Sequence, residues 1–351
     1  MWRSSAAILA FLALITPKAH ADTVADFYKG KLVRVVVGFG SGGGYDVYAR
    51  LLARHLGKHV PGNPTFVVQN MPGAGSLRAA NFIYTAAPRD GTTIGTFSRD
   101  MPLLAVMGAT AGVQFDPRRF TWLGSSSSFR DDAYVLIVRA DAPSASIGEA
   151  RRPGGPPLVL AGSGEGAPGN DVPMILRDTI GLNAKVIGGY PDTAAMFLAM
   201  ERGEVHGRTV DLSSLRTFRL HWLMPGGGMR VLLQFARTTR HPDFPDIPTA
   251  RELAPTEAAL ALIELAELPY AMARPFAAPP DVPPDRAQAL QAAFLATHQD
   301  PQYLEEAAKL KVDVSPVGGN EVLATIERIT GASPAVIDHL KRLLAEAKGG
   351  G

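Results

Sequence analysis

Between Lys31 and Leu56 a β-branched run, Val33, Val35, Val36 and Val37, meets Gly38-Phe39-Gly40-Ser41-Gly42-Gly43-Gly44 and then Tyr45-Asp46-Val47-Tyr48-Ala49-Arg50-Leu51-Leu52. The branched residues predict a strand, the glycines a tight loop, and the apolar spacing that follows predicts a helix. Strand, glycine loop and helix form the first half of a βαβ unit, which directs the chain toward a parallel sheet. The same loop leaves unpaired N–H groups at the positive end of a helix dipole, so it can hold a carboxylate or a phosphate without a charged side chain.

The pattern recurs. Thr65-Phe66-Val67-Val68-Gln69 predicts a second strand, Asn70-Met71-Pro72-Gly73-Ala74-Gly75-Ser76 a second glycine loop, Leu77 to Thr85 a helix and Thr93 to Phe97 a third strand. After the polar run Gly124 to Ser128 a second α/β series begins, with strands at 134–138, 158–161 and 184–187 and helices ending near 180 and 202. Its loops are Ser163-Gly164-Glu165-Gly166 and Gly188-Gly189-Tyr190-Pro191-Asp192, and a short segment near Val205 to Val210 ends at Asp211. The expected fold is α/β with two lobes, each a doubly wound, mostly parallel sheet flanked by helices, and ligands sit at the carboxyl ends of such strands. At 351 residues two domains are expected. Arg230 to Phe235 reads as one more strand, His241 to Pro248 and Arg274 to Pro284 as connectors, and the chain from Asp285 as amphipathic packing helices.

Arg3, the apolar stretch Ala6 to Ile15 and Ala19-His20-Ala21 read as a secretory signal cleaved after Ala21, since the apolar run is too short to span a bilayer. The expected compartment is the periplasm. Without a cysteine in the chain there are no disulfides and no thiolate chemistry. The leader carries Arg3 and Lys18 but no acid, so the mature charges balance, and no basic run with interleaved aromatics points to nucleic acid.

Gly38-x-Gly40-x-x-Gly43 matches the dinucleotide fingerprint in form, but Gln69 and Asn70 stand where a ribose-binding acid belongs, so no cofactor is expected. There is no Gly-Lys-Ser/Thr and no nucleophile elbow around Ser41 or Ser163. His55 and His59 share a helix face but lack a third ligand; they are expected to bond the last helix carbonyls. Arg50, Arg54 and Arg78 read as solvated helix-face charges. Asp46 and Asp192 stand at helix starts, where an acid either caps the helix or reaches a ligand. Asp211, after a short strand, is expected to face a cleft.

Over nearly its whole mature length the chain resembles the Bug-type solute receptors of tripartite tricarboxylate transporters. The matching blocks are Gly43-Gly44-Tyr45-Asp46 with Ala49-Arg50-Leu51-Leu52, Asn70-Met71-Pro72-Gly73-Ala74-Gly75, Pro88-Arg89-Asp90-Gly91, Pro245-Asp246-Ile247-Pro248-Thr249-Ala250-Arg251-Glu252 and Ala278-Pro279-Pro280-Asp281-Val282-Pro283. The resemblance implies a monomeric periplasmic protein, not an enzyme, whose two lobes (22–130 plus 246–351, and 131–245) close on a small carboxylate for delivery to membrane permease subunits. It places first-lobe contacts at Phe39, Gly40, Ser41, Gly42, Gly43, Gly44, Tyr45, Asp46, Ala74, Gly75 and Ser76. Second-lobe contacts fall at Ser163, Gly164, Glu165, Gly166, Tyr190, Asp192 and Asp211.

Two departures bear on the ligand. Glu165 stands within a loop that the family keeps neutral, and Gly189-Tyr190-Pro191-Asp192 replaces Pro-Tyr-Lys-Gly, losing a lysine and gaining an acid. Both move the second lobe away from a plain dicarboxylate site and suit a carboxylate that also bears an amino or hydroxyl group. Neutral donors are expected to suffice, with no buried cation at the ligand. The alternatives are a receptor that signals to a partner and an exported hydrolase or lyase using the same cleft.

Overall fold

The computed structural model describes residues 23–108, 112–130, 132–164 and 167–349; the leader read at 1–21 and the loop residues Glu165 and Gly166 lie outside them. Two sheets organise the molecule. The first, in the order β11-β4-β10-β3-β1-β2, takes β1 (Leu32–Val37), β2 (Thr65–Asn70), β3 (Thr93–Thr96) and β4 (Thr121–Ser125) from early in the chain. Its β10 (Pro275–Ala278) and β11 (Val317–Gly318) come from late in the chain. The second, in the order β7-β6-β8-β5-β9, is built from β5 (Tyr134–Arg139), β6 (Leu158–Ala161), β7 (Ala184–Ile187), β8 (Gly207–Asp211) and β9 (Met229–Phe235).

The valine run forms β1, which pairs in parallel with both β2 and β3. In the second sheet β6 pairs in parallel with β7 and β8. Each sheet also takes strands of opposite sense: β10 runs antiparallel between β3 and β4, and β5 antiparallel between β8 and β9. Most strands of each sheet still point one way. β4 lies mostly in unassigned sequence and reaches the polar run only at Gly124 and Ser125, and β10 lies in a stretch that the sequence reads as a connector. Pro275–Ala278 is buried on both faces, so it shows no alternation, and its proline stands at the first strand position, the place a strand tolerates one.

Helix Gly44–Leu56 buries Ala49, Leu51, Leu52 and Leu56 against β1 and against the helices Pro284–Thr297 and Pro301–Leu310. His55 in this helix and His59 in the turn after it serve that contact rather than the helix's own carbonyls. His55 Nε2 lies 2.7 Å from Glu306 Oε2, and His59 Nε2 lies 2.8 Å from Asp300 Oδ2. On the other face of the first sheet lie Leu77–Thr85, Met101–Met107 and Gly319–Thr330, of which Met101–Met107 falls in a segment the sequence reading leaves unassigned. The second sheet packs against Pro168–Ile180 on one side and Thr193–Glu201 with Trp222 on the other. Helices Glu257–Glu267 and Pro334–Gly349 rest on Pro168–Ile180, so the late chain serves both sheets. Among the described residues no helix is long and apolar enough to cross a membrane.

Candidate functional site

The carboxyl ends of β1, β2 and β3 face those of β6, β7 and β8 across one cleft, and the ends of β1, β2, β6 and β7 continue into the glycine loops. The loops touch: Gly40 N donates to Pro191 O at 3.3 Å. A Cβ on Gly40 would overlap Asp192 Oδ2, so glycine there is what allows the two sides to approach. After β2, Ala74, Gly75 and Ser76 all hold positive φ, at 47°, 60° and 83°. A left-handed Ala and Ser are sterically costly, and both line the cleft. Ser76 is pinned there, its Oγ accepting from Ser98 N at 2.7 Å.

Asp46 points into its own loop and away from the cleft. Its Oδ2 accepts from Gly42 N at 2.9 Å and Arg50 Nε at 2.8 Å, and its Oδ1 from Asn70 Nδ2 at 2.8 Å. Asn70 Nδ2 also donates to Phe39 O at 2.9 Å, so one buried carboxylate binds the first loop to the end of β2. Burial opposes ionisation of Asp46, but the bonds from Arg50 and Gly42 prevail and hold its carboxyl below the usual range. Arg50 is accordingly a structural partner and not a free surface charge.

The charged part of the cleft is a cavity of about 50 Å³ bounded by Phe39, Gly43, Gly44 and Tyr45 on one side and by Ser163, Gly169, Asp192 and Asp211 on the other. Three guanidinium groups line it. Arg99, Arg208 and Arg274 are only 2%, 4% and 1% exposed. Arg274 Nη2 lies 2.7 Å from Asp211 Oδ2, and Arg99 Nη2 lies 3.9 Å from Asp211 Oδ1. Burial works to raise the Asp211 carboxyl, yet these two arginines hold it far below the ordinary carboxylate range. Asp211 also caps helix Leu212–Phe218, accepting from Ser214 N at 3.2 Å. Behind it Asp132 Oδ1 accepts from Ala133 N and Ser213 N at 2.8 and 3.0 Å, and burial together with the Asp211 charge raises Asp132 to about 7.

Aromatic rings fix the arginines. Arg99 lies over Tyr270 at 4.2 Å, Phe129 at 5.0 Å and Tyr134 at 5.4 Å, and Arg274 over Tyr45 at 4.8 Å. Tyr45 stacks on Phe39 at 4.7 Å between centroids, and its hydroxyl accepts from Arg99 N at 3.0 Å. A second, neutral pocket of about 260 Å³ adjoins this one through Phe39 and Ser163 and is lined by Gly73, Ala74, Gly75, Ser76, Gly189 and Tyr190.

Of the residues expected at the ligand, Phe39, Gly43, Gly44, Tyr45, Ser163, Asp192 and Asp211 border the charged cavity, and Ala74, Gly75, Ser76 and Tyr190 the neutral one. Asp192 combines both readings, because its Oδ1 caps Thr193–Glu201 at Ala195 N, 2.8 Å away, while the residue lines the cavity. Gly40, Ser41, Gly42 and Asp46 shape the first loop without bordering either pocket, and Gly164 approaches Gly75 across the cleft.

The expectation that no cation is buried at the site is overturned by Arg99, Arg208 and Arg274, none of which the sequence reading singles out. Arg208 carried a signal, its place in the short strand Gly207–Asp211 that ends at the cleft acid Asp211. Arg99 is masked by its neighbour Asp100, and Arg274 by the proline-rich stretch taken for a connector.

Known proteins agree on what this architecture is. The family model described as "Tripartite tricarboxylate transporter family receptor" matches residues 48–339. A UPF0065 protein of Bordetella pertussis is 26% identical over 308 residues, 84% of this chain and 83% of that protein. A UPF0065 protein of Cupriavidus necator is 30% identical over 145 residues, and that match spans 41% of each chain. Among solved structures, the periplasmic binding protein BugD superposes with a TM-score of 0.68 at 20% identity, covering 92% of this chain and 99% of its own. A Rhodopseudomonas palustris protein solved with adipate gives 0.68 at 20% identity (91% and 97% covered). MatC from the same organism, with bound malate, gives 0.62 at 19% (91% and 98%). At these identities the structural likeness speaks for the two-lobed fold.

Proposed function

The chain belongs to the family of tripartite tricarboxylate transporter receptors, and from that membership we propose a periplasmic protein that captures a small carboxylate in the cleft and hands it to the membrane subunits of such a transporter. It is a solute-binding protein and not an enzyme. The observation that carries the choice of ligand is the charge of the cleft. Among the described residues that line the cavity, three arginines, Arg99, Arg208 and Arg274, stand against two acids, Asp192 and Asp211, so an anion restores the balance. Relatives of the same fold were solved with malate and with adipate.

In this reading the lobes are 22–130 plus 246–351 and 131–245, the protein acts as a monomer, and closure brings Gly40 against Pro191 and Asp192. The N–H groups of Phe39, Gly43 and Gly44 and of Ala74 and Gly75, on the loops that border the two pockets, hold one carboxylate, directly or through water. Asp192, with Oδ1 committed to its helix, offers Oδ2 to an amino or hydroxyl group of the solute. A thermal-shift screen of the mature protein against mono-, di- and tricarboxylates, aromatic acids and amino acids tests the proposal. A ligand at a hundred times its Kd adds about 2.7 kcal/mol of stability, so at least one carboxylate raises the melting point visibly. A panel in which no carboxylate shifts it contradicts the proposal.

A further inference from the structure

We propose that Arg208, backed by Arg99, binds a carboxylate of the solute directly, and that the solute is therefore a diacid; this rests on the reading of the cleft as the solute site and adds a second anchor at its far end.

Arg208 is buried, lines the charged cavity, and has among the described residues no carboxylate at ion-pair distance. Its partners are neutral: Nε donates to Thr209 O at 3.1 Å and Nη1 to Thr193 O at 3.4 Å, the Tyr134 hydroxyl is a further side-chain partner, and Phe197 lies 5.3 Å from the guanidinium carbon. Two carbonyl dipoles, a phenol and a ring offset only part of what a buried cation loses in leaving water, and a guanidinium does not escape by deprotonating. Arg99 stands in the same position: Nε and Nη1 are buried without a hydrogen-bond partner among the described residues. Asp211 answers Arg274 and is shared at 3.9 Å with Arg99, so it leaves Arg208 unmatched.

Helix Pro168–Ile180 begins at this spot without a side-chain cap, and a Cβ on Gly169 would sit 3.8 Å from Arg208 Nη2. Helix start and guanidinium thus present positive charge to the same few ångströms, the arrangement that holds a carboxylate through a forked pair of bonds. The glycine loops of the first sheet take the other carboxylate.

The test is a calorimetric titration with succinate, malate and adipate, and with the half-amide of whichever binds tightest. Wild type is expected to prefer the diacid over its half-amide at least tenfold. In Arg208→Gln the preference falls to within about twofold, and Arg208→Lys recovers part of it. A wild-type ratio near one overturns the inference without need of any variant, and so does a folded Arg208→Gln that keeps the preference. Monocarboxylates binding where diacids do not overturns the diacid but leaves the receptor standing, whereas no carboxylate binding of any kind removes the receptor reading itself.

Discussion

The residue whose charge is most at odds with its surroundings is Asp132. One oxygen accepts two main-chain bonds, the other is buried with no hydrogen-bond partner among the described residues, and the carboxyl faces the ionised Asp211. Its carboxyl titrates near 7 in the folded protein, against about 3.9 in an unfolded chain. The folded state therefore holds a proton that the unfolded state releases above about pH 4, and the stability this contributes below pH 4 is lost as pH rises through 7. Asp100 and Glu267, each raised to about 7 by burial, add slopes of the same sign. Asp132→Asn isolates one contribution. Relative to wild type it is expected to be more favourable at pH 8 than at pH 5, by on the order of 1 kcal/mol in urea unfolding. An effect equal at the two pH values rules out a protonated Asp132. Asp46, the other buried acid of the first loop, has the opposite character: every oxygen is bonded, and it stays ionised.

At the level of elements, the parallel strands were legible because hydrophobic runs bounded by glycine carry their own signal. Leu158–Ala161 and Ala184–Ile187 fall where the sequence places them, and the loops after β1 and β2 stand at the cleft. What escaped is what only pairing creates. β10 is a four-residue strand beginning with proline, held because β3 and β4 flank it, and it delivers Arg274 to the cavity. The buried arginines escaped for the same reason, since an arginine reads as surface until its neighbours are known. The acids Asp192 and Asp211 were legible because each follows a strand or loop that ends at the cleft. Contact between the glycine loops also belongs to this scale. Gly40→Val puts a branched side chain where Asp192 now packs, with no backbone strain to disturb the fold. Its melting point is expected within a degree or two of wild type and its carboxylate affinity at least tenfold lower. Wild-type affinity in this variant means that approach of the loops is no part of binding.

For the molecule as a whole, two sheets with their carboxyl ends opposed form the two sides of the proposed clamp. Both sides bring charge to the cavity, Arg99 and Arg274 from the first and Arg208, Asp192 and Asp211 from the second, and the first adds the glycine loops held in shape by Asp46, Asn70 and strained Ala74 and Ser76. On the proposed reading closure responds to the solute, since a ligand that satisfies both sides stabilises their contact. The claim that unites the account is that an anion is held where helix Gly44–Leu56 begins. Gly43 lies in extended backbone at that point, with φ −86° and ψ 170°, so aspartate fits there without strain and sets a negative charge at the loop. Titrating Gly43→Asp with the best carboxylate of the screen is the direct measurement. The account predicts affinity at least a hundredfold below wild type with an unchanged unfolding transition, and an affinity equal to wild type contradicts it.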